Sequence, residues 1–169
     1  MSLNINPDIE DTHYRYKMPK IEVRHAGRGN GSFTFLDNID VLATSINTLS
    51  NVLLNFIGRT LGSSVNNEKK TITGHYSLDV IEEEIYTYIR FFVLCKKCTI
   101  PEVIPLVTGS KKNKILNFKC SACGEEYEIN SDKKIYQKTI EFIIKNVNSY
   151  IIKKGNIVEV KEKDLFNPF

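Results

Sequence analysis

Four cysteines in two pairs, Cys95-x2-Cys98 and Cys120-x2-Cys123, carry the chemistry that spacing alone defines in this chain. Two such knuckles close one tetrahedral Zn(II) site of four thiolates. Each pair suits a sharp turn at a strand end, where backbone N–H groups point at sulfur and both thiolates reach one metal from the same side. The alternative use of the same residues is two disulfides, which requires an oxidising compartment; no apolar signal segment stands at Met1. Four thiolates leave no open position for water, so the expected zinc is structural and not catalytic. His13, His25 and His75 stand in no recognisable nucleophile context, and they read as surface or partly buried histidines.

Composition fits these modest chemical means. With 169 residues, 41% hydrophobic and 25% charged, the chain suits one ordinary domain plus a small module. No apolar run approaches the roughly 20 residues that span a bilayer, so the expectation is a soluble, cytoplasmic protein with no membrane partner. Residues 1–94 hold 9 Lys and Arg against 11 Asp and Glu, whereas residues 95–169 hold 14 against 9. The second half is mildly basic, which permits nucleic-acid contact and equally suits solvated lysines.

The elements that must position the cysteines are legible from periodicity. Residues 1–12 hold few apolar side chains and read as a flexible N-terminal tail. Ile21 and Val23 alternate with Glu22 and Arg24 in strand fashion, the turn Gly27-Arg28-Gly29-Asn30-Gly31 follows, and Phe33 and Phe35 resume the alternation, which predicts a β-hairpin. The turn is no phosphate loop, because no Gly-Lys-Ser/Thr follows it. Asp37 or Asn38 is placed to cap a helix with Ile39, Leu42, Ala43 and Ile46 on one face, and Ser50 begins another that ends near Gly58. A short strand pair is expected around Asn66 to Lys70. Ser77 then caps a helix with an Ile81, Ile85, Tyr88, Ile89 and Phe92 stripe that runs almost into Cys95. Ile135 to Ile152 form a further apolar helical stretch whose Phe142, Ile143 and Val147 need a partner surface. The predicted fold class is α+β: a tail (1–12), a small mixed α/β domain with a β-hairpin (13–92), a four-cysteine zinc ribbon (93–130) and a C-terminal helical segment (131–169).

Several strings in this order resemble a known family. Tyr14-Arg15-Tyr16-Lys17-Met18-Pro19, the Gly27 to Gly31 turn, Phe56-Ile57-Gly58 with Leu61-Gly62, Phe92-Val93-Leu94-Cys95 and Cys120-x2-Cys123-Gly124 resemble the N-terminal region of eukaryotic translation initiation factor 5, over about residues 2–130. The beta subunit of initiation factor 2 looks like a relative with the same two-module layout, without the glycine-rich turn. The resemblance implies a GTPase-activating protein for initiation factor 2 in start-codon selection. GTP would be bound by the partner's gamma subunit, with the beta subunit, initiator methionyl-tRNA and small ribosomal subunit as further partners. Arg15 stands at the family's catalytic arginine, where a guanidinium supplied in trans stabilises charge on the transferring phosphoryl oxygens. Arg24, Gly27, Arg28, Gly29, Asn30 and Gly31 correspond to the loop that approaches the codon–anticodon duplex, and Lys69 and Lys70 to a second basic loop near the anticodon arm.

The chain departs from the family at Phe33 and Asn55, where lysines are usual, and at Asn47-Thr48-Leu49-Ser50, where Asn-Arg-Pro-Pro is common. Nothing after Ile129 resembles the family's C-terminal helical-repeat domain. Two other functions compete with the activator: a non-catalytic RNA-binding scaffold of the initiation complex, which would tolerate loss of Arg15, and a beta subunit of factor 2, which would bind the gamma subunit stoichiometrically without ribosomes.

Overall fold

The computed structural model describes residues 2–153 and divides into two compact units between Leu94 and Cys95. In the first unit, β1 (Ser2–Asn4) pairs antiparallel with β2 (Lys17–Pro19), with Leu3 opposite Met18 and Asn4 opposite Lys17. Residues 1–12 are therefore not a free tail. Ile5 and Met18 are only 2% and 3% exposed, and the Ile5 N–H donates to the Tyr16 carbonyl. Burying one such aliphatic side chain contributes about 2 kcal/mol. Counting apolar residues missed this anchor because a single isoleucine makes it and polar side chains complete it.

β3 (Val23–Ala26) and β4 (Phe33–Leu36) form the predicted hairpin, with Ala26 opposite Phe33. Helices α1 (Ile39–Ser45) and α2 (Ser50–Thr60) follow, then β5 (Val65–Asn66) and β6 (Thr71–Thr73). These strands make one sheet in the order β3-β4-β6-β5. Alternation on β4 sends Thr34 and Leu36 inward and leaves Phe33 39% exposed. The buried Thr34 hydroxyl is satisfied: it donates to the Gly74 carbonyl and accepts from the Tyr76 N–H.

Neither Asp37 nor Asn38 caps α1 with its side chain. Asn38 stands at the N-cap position, but its amide accepts from the Glu22 N–H and donates to the Lys20 carbonyl, tying residues 20–22 to the helix start. Asp37 pairs with Arg24. Ser77 does cap α3 (Leu78–Tyr88), accepting from the Val80 N–H. The helix then widens into a π-helical turn over Ile89–Val93, where the Leu94 N–H reaches back to the Ile89 carbonyl.

The core of this unit gathers Leu36, Ile39, Leu53, Phe56, Ile72 and Tyr88, all under 2% exposed. Phe56, Tyr88 and Phe92 form a ring cluster with centroids 5.0–5.9 Å apart, and the Tyr88 hydroxyl meets the Thr48 hydroxyl at 2.5 Å. No single helix among the described residues is long and apolar enough to cross a membrane; α1 and α2 together are apolar enough, but they bend by 106°.

In the second unit β7 (Val103–Ser110), β8 (Asn113–Cys120) and β9 (Glu126–Glu128) form an antiparallel sheet in that order. The expected single C-terminal helix is two: α4 (Lys134–Lys145), which packs on β8, and α5 (Val147–Lys153), which packs on β7. Asn146 breaks the helical run with φ −110° and ψ 13°. Ile143 and Tyr150 are buried and Phe142 and Val147 half-buried, so the apolar stripe folds back on the ribbon. Residues 154–169 of the predicted helical segment lie outside the described residues.

One glycine in the first unit has a packing reason. A Cβ at Gly58 would stand 2.4 Å from Val65 Cγ1 and 3.0 Å from the Ser63 carbonyl oxygen, so α2 and β5 approach only across a bare backbone. Gly58→Ala is expected to cost about 1–3 kcal/mol by overpacking, read as a lowered thermal midpoint of the full chain.

Candidate functional site

The two knuckles are the same turn built twice. In the first, the Cys95 N–H donates to the Ile100 carbonyl and the Thr99 N–H to the Cys95 carbonyl; in the second, Cys120 pairs with Glu125 and Gly124 with Cys120 in the same pattern. Each turn is closed by a residue in the left-handed region, Thr99 with φ 60° and Gly124 with φ 78°. The repeated geometry brings all four Sγ atoms within 4.8 Å of one another. Cys95 Sγ lies 3.7 Å from Cys123 Sγ, and Cys98 Sγ lies 3.6 Å from Cys120 Sγ. A disulfide needs about 2.0 Å, and all four cysteines are free thiols. The four sulfurs are arranged to hold one metal ion.

Backbone donors prepare this cluster for negative charge. Burial opposes ionisation of Cys95, but N–H groups of Cys98 and Lys97 and the thiols of Cys123 and Cys98 outweigh it and bring Cys95 down to about 7. Burial, with the neighbouring sulfurs, pushes Cys98 up to about 12 and also raises Cys120. Without a cation the cluster favours one thiolate held by thiols; a divalent ion would reverse that balance and draw all four as thiolates. Tyr127 closes one side: its hydroxyl accepts from the Lys96 N–H, its ring meets Phe118 edge-on, and burial first, then the nearby sulfurs, raise it to about 12.

The loops of the first unit differ in how free their charges are. Arg15 is exposed, its guanidinium 5.7 Å from the Tyr16 ring centroid, and Tyr14 and Tyr16 flank it with centroids 5.6 Å apart. Among the described residues no carboxylate pairs with Arg15, whereas Arg90 is tied to Asp8. Arg24 is engaged twice: its guanidinium makes two 3.1 Å bonds to Asp37 and lies 4.1 Å over the Phe35 ring. Arg28, Asn30 and Lys69 are exposed. Lys70 is half-buried and bound inward, its ammonium 3.3 Å from Asp40 and 3.4 Å from the Ser50 hydroxyl. Of the predicted basic contacts, then, Arg28 and Lys69 present open charge, while Arg24 and Lys70 would first have to leave partners.

The three glycines of the hairpin turn are not equivalent. Gly27 has φ 80°, and a Cβ there would fall 1.7 Å from the Gly31 carbonyl oxygen; Gly29 has φ 56°. Gly31 has neither a positive φ nor any atom within 4 Å of a Cβ. Nothing within the chain requires glycine at 31. Sequence reasoning also missed how Asn4 and Lys17 bind the backbone of the loop that carries Arg15; facing positions of β1 and β2 are the signal that pairs them.

An α/β unit bearing a glycine-rich hairpin, continued by a four-cysteine ribbon, defines a class of translation-factor module. Over residues 6–126 the chain matches the family described as the domain found in initiation factors 2B and 5, and it belongs to that family. Among its relatives it is 33% identical over 150 residues to "Eukaryotic translation initiation factor 5" of Caenorhabditis elegans, covering 86% of this chain and 33% of that protein. The proteins of the same name in Mus musculus and Saccharomyces cerevisiae are each 31% identical, again over 86% of this chain and 34% and 35% of theirs. The chain thus spans about a third of the length of these relatives, and its resemblance to the N-terminal region of factor 5 is borne out.

The matched knuckles carry one asymmetry with a measurable consequence. Left-handed backbone costs a non-glycine residue roughly 1–2 kcal/mol, and Thr99, but not Gly124, bears that cost. Thr99→Gly is expected to raise the stability of the second unit by about 1 kcal/mol after the added chain entropy is subtracted, and Gly124→Ala to lower it by a similar amount. Thermal unfolding of the full chain reads both; a lower midpoint for Thr99→Gly would show that the threonine side chain itself holds the knuckle.

Proposed function

We propose that this chain is a translation initiation factor that acts as a GTPase-activating protein for initiation factor 2 during start-codon selection, with Arg15 as its arginine finger. The observation that carries the reading is the state of Arg15: exposed, flanked by two tyrosines and bound to no carboxylate among the described residues, within the family-matched stretch. The GTP belongs to the gamma subunit of factor 2. This chain supplies a delocalised cation that stabilises charge spreading over the phosphoryl oxygens, an effect worth about 10³–10⁵ in rate for such fingers. It acts in the cytoplasm, in contact with the gamma and beta subunits, initiator methionyl-tRNA and the small ribosomal subunit.

In this reading the ion of the ribbon is Zn(II). Sulfurs about 2.3 Å from a central zinc stand about 3.8 Å apart in a regular tetrahedron, close to the 3.6 and 3.7 Å separations of the free thiols. The metal would hold the two knuckles together and do no chemistry. Complete chelation, or Cys95→Ser or Cys120→Ser, is expected to unfold residues 93–130; a ribbon that keeps its amide protection after metal removal would contradict this.

Gly31 favours contact with nucleic acid at the hairpin tip. A glycine without an internal reason leaves room for an outside surface, and backbone amides there can approach phosphates and sugars while Arg28 supplies charge. Gly31→Ala is expected to leave thermal stability within about 0.5 kcal/mol of wild type and to weaken association with initiator tRNA on the small subunit. Gly27→Ala is expected to destabilise the hairpin itself.

The activator and scaffold readings part in one assay. In single-turnover GTP hydrolysis by the factor 2 ternary complex on small subunits, Arg15→Ala is expected to lose about 10³-fold or more of the stimulation. Equal stimulation by wild type and Arg15→Ala would remove the arginine finger. Binding without stimulation by either would leave the RNA-binding scaffold.

A further inference from the structure

The loop that carries Arg15, residues 5–16, is closed at its base by β1 and β2. Along its length it is held less by packing than by two polar side chains. The Asn4 amide donates to the carbonyls of Ile9 at 2.6 Å and Asp11 at 3.0 Å. The Lys17 ammonium donates to the Thr12 carbonyl at 3.1 Å and to the Asn4 side-chain oxygen, which holds the Asn4 amide in the orientation its two carbonyl bonds need. Three loop carbonyls thus converge on one facing pair of strand residues. Beneath them runs an open groove of about 590 Å³ lined by Asn4, Pro7, Ile9, Thr12, Lys17 and Tyr86, so close packing does not set the path of the loop. Local turns stiffen the rest: Asp8 N–H donates to the Asn6 side chain, and His13 N–H to the Asp11 side chain. The Tyr14 N–H returns to the Asp11 carbonyl, which hands the clamped segment directly to Arg15.

We propose that Asn4 and Lys17 form a clamp that positions Arg15, so that the guanidinium meets its target from a pre-ordered loop; this rests on the arginine-finger reading above. A catalytic group held near its productive geometry loses little freedom when the transition state forms, whereas a displacement of about 1 Å can cost on the order of a hundredfold in rate. Both are positioning residues: their bonds end on loop carbonyls. The clamp therefore affects the maximal rate and leaves the affinity of the chain for its complex almost unchanged.

The test uses the full chain in single-turnover GTP hydrolysis by the factor 2 ternary complex on small subunits, at limiting and saturating chain. Asn4→Ala and Lys17→Met are expected to lower the maximal rate by on the order of ten- to a hundredfold, with little change in the half-saturating concentration. Lys17→Arg should recover part of the loss. Combined with Arg15→Ala, neither substitution should slow the reaction further, since both act through the same guanidinium. Amide exchange over residues 8–14 should quicken in both clamp variants. Asn4→Ala changes no charge, so its effect separates positioning from the electrostatics of losing an ammonium, and it carries the test if Lys17→Met fails to fold. Full maximal rates in both clamp variants beside an inactive Arg15→Ala would overturn the clamp, as would losses that add to that of Arg15→Ala. Undiminished stimulation by Arg15→Ala would instead overturn the arginine-finger reading, and the positioning role with it, even where exchange shows the loop ordered by the clamp.

Discussion

The pairing of three N-terminal residues with Lys17–Pro19 is the constraint on which the functional face of the first unit depends. Without it the chain up to Tyr16 would be a polar strand end attached at one side, and Arg15 would sample a large volume. With it, Ile5 enters the core and residues 5–16 become a loop with both ends fixed. Ordering each residue costs roughly 1–2 kcal/mol of backbone entropy, and the loop offsets that cost with bonds to its own carbonyls more than with apolar burial. Such an arrangement is stiff where it is bonded and exposed where it must act, which suits a side chain offered to another protein.

The second unit meets the same difficulty, ordering a small module, by another route. Its sheet has three strands, and its buried apolar residues, such as Leu116, Phe118 and Ile143, are few. Two like turns place four sulfurs in reach of one ion, and a metal there would crosslink the start of the unit to the end of β8. Structural zinc contributes folding free energy outright in modules of this size. The helices α4 and α5 add the apolar cover that the sheet lacks, which is why the C-terminal stretch folds on the ribbon.

What could be read from the sequence follows the range of the interaction. The cysteine knuckles were legible because metal ligation demands residue type and spacing together. The glycine-rich hairpin and the Ser77-capped helix were legible because φ preferences, capping and periodicity act within a few residues. The first strand was not, because its evidence is one isoleucine whose burial partners lie more than ten residues away. Asn38 looked like a cap and serves as a tie to residues 20–22, and Arg24 and Lys70 looked like open charge and are bonded to Asp37 and Asp40. A side chain of given type can satisfy several partners, and only the tertiary arrangement selects among them. The helix break at Asn146 was missed for the same reason, since hydrophobic period alone runs through it.

The central claim is that Arg15 acts on the transition state and not on the resting complex. Its most direct test is the affinity of the full chain for factor 2 on small subunits with GDP and an aluminium fluoride that mimics the transferring phosphoryl group, compared with GDP alone. Groups that stabilise a transition state bind its analogues about a hundredfold or more tighter than the ground state. The account requires such a preference in the wild-type chain and its disappearance in Arg15→Ala; an undiminished preference in Arg15→Ala would contradict it.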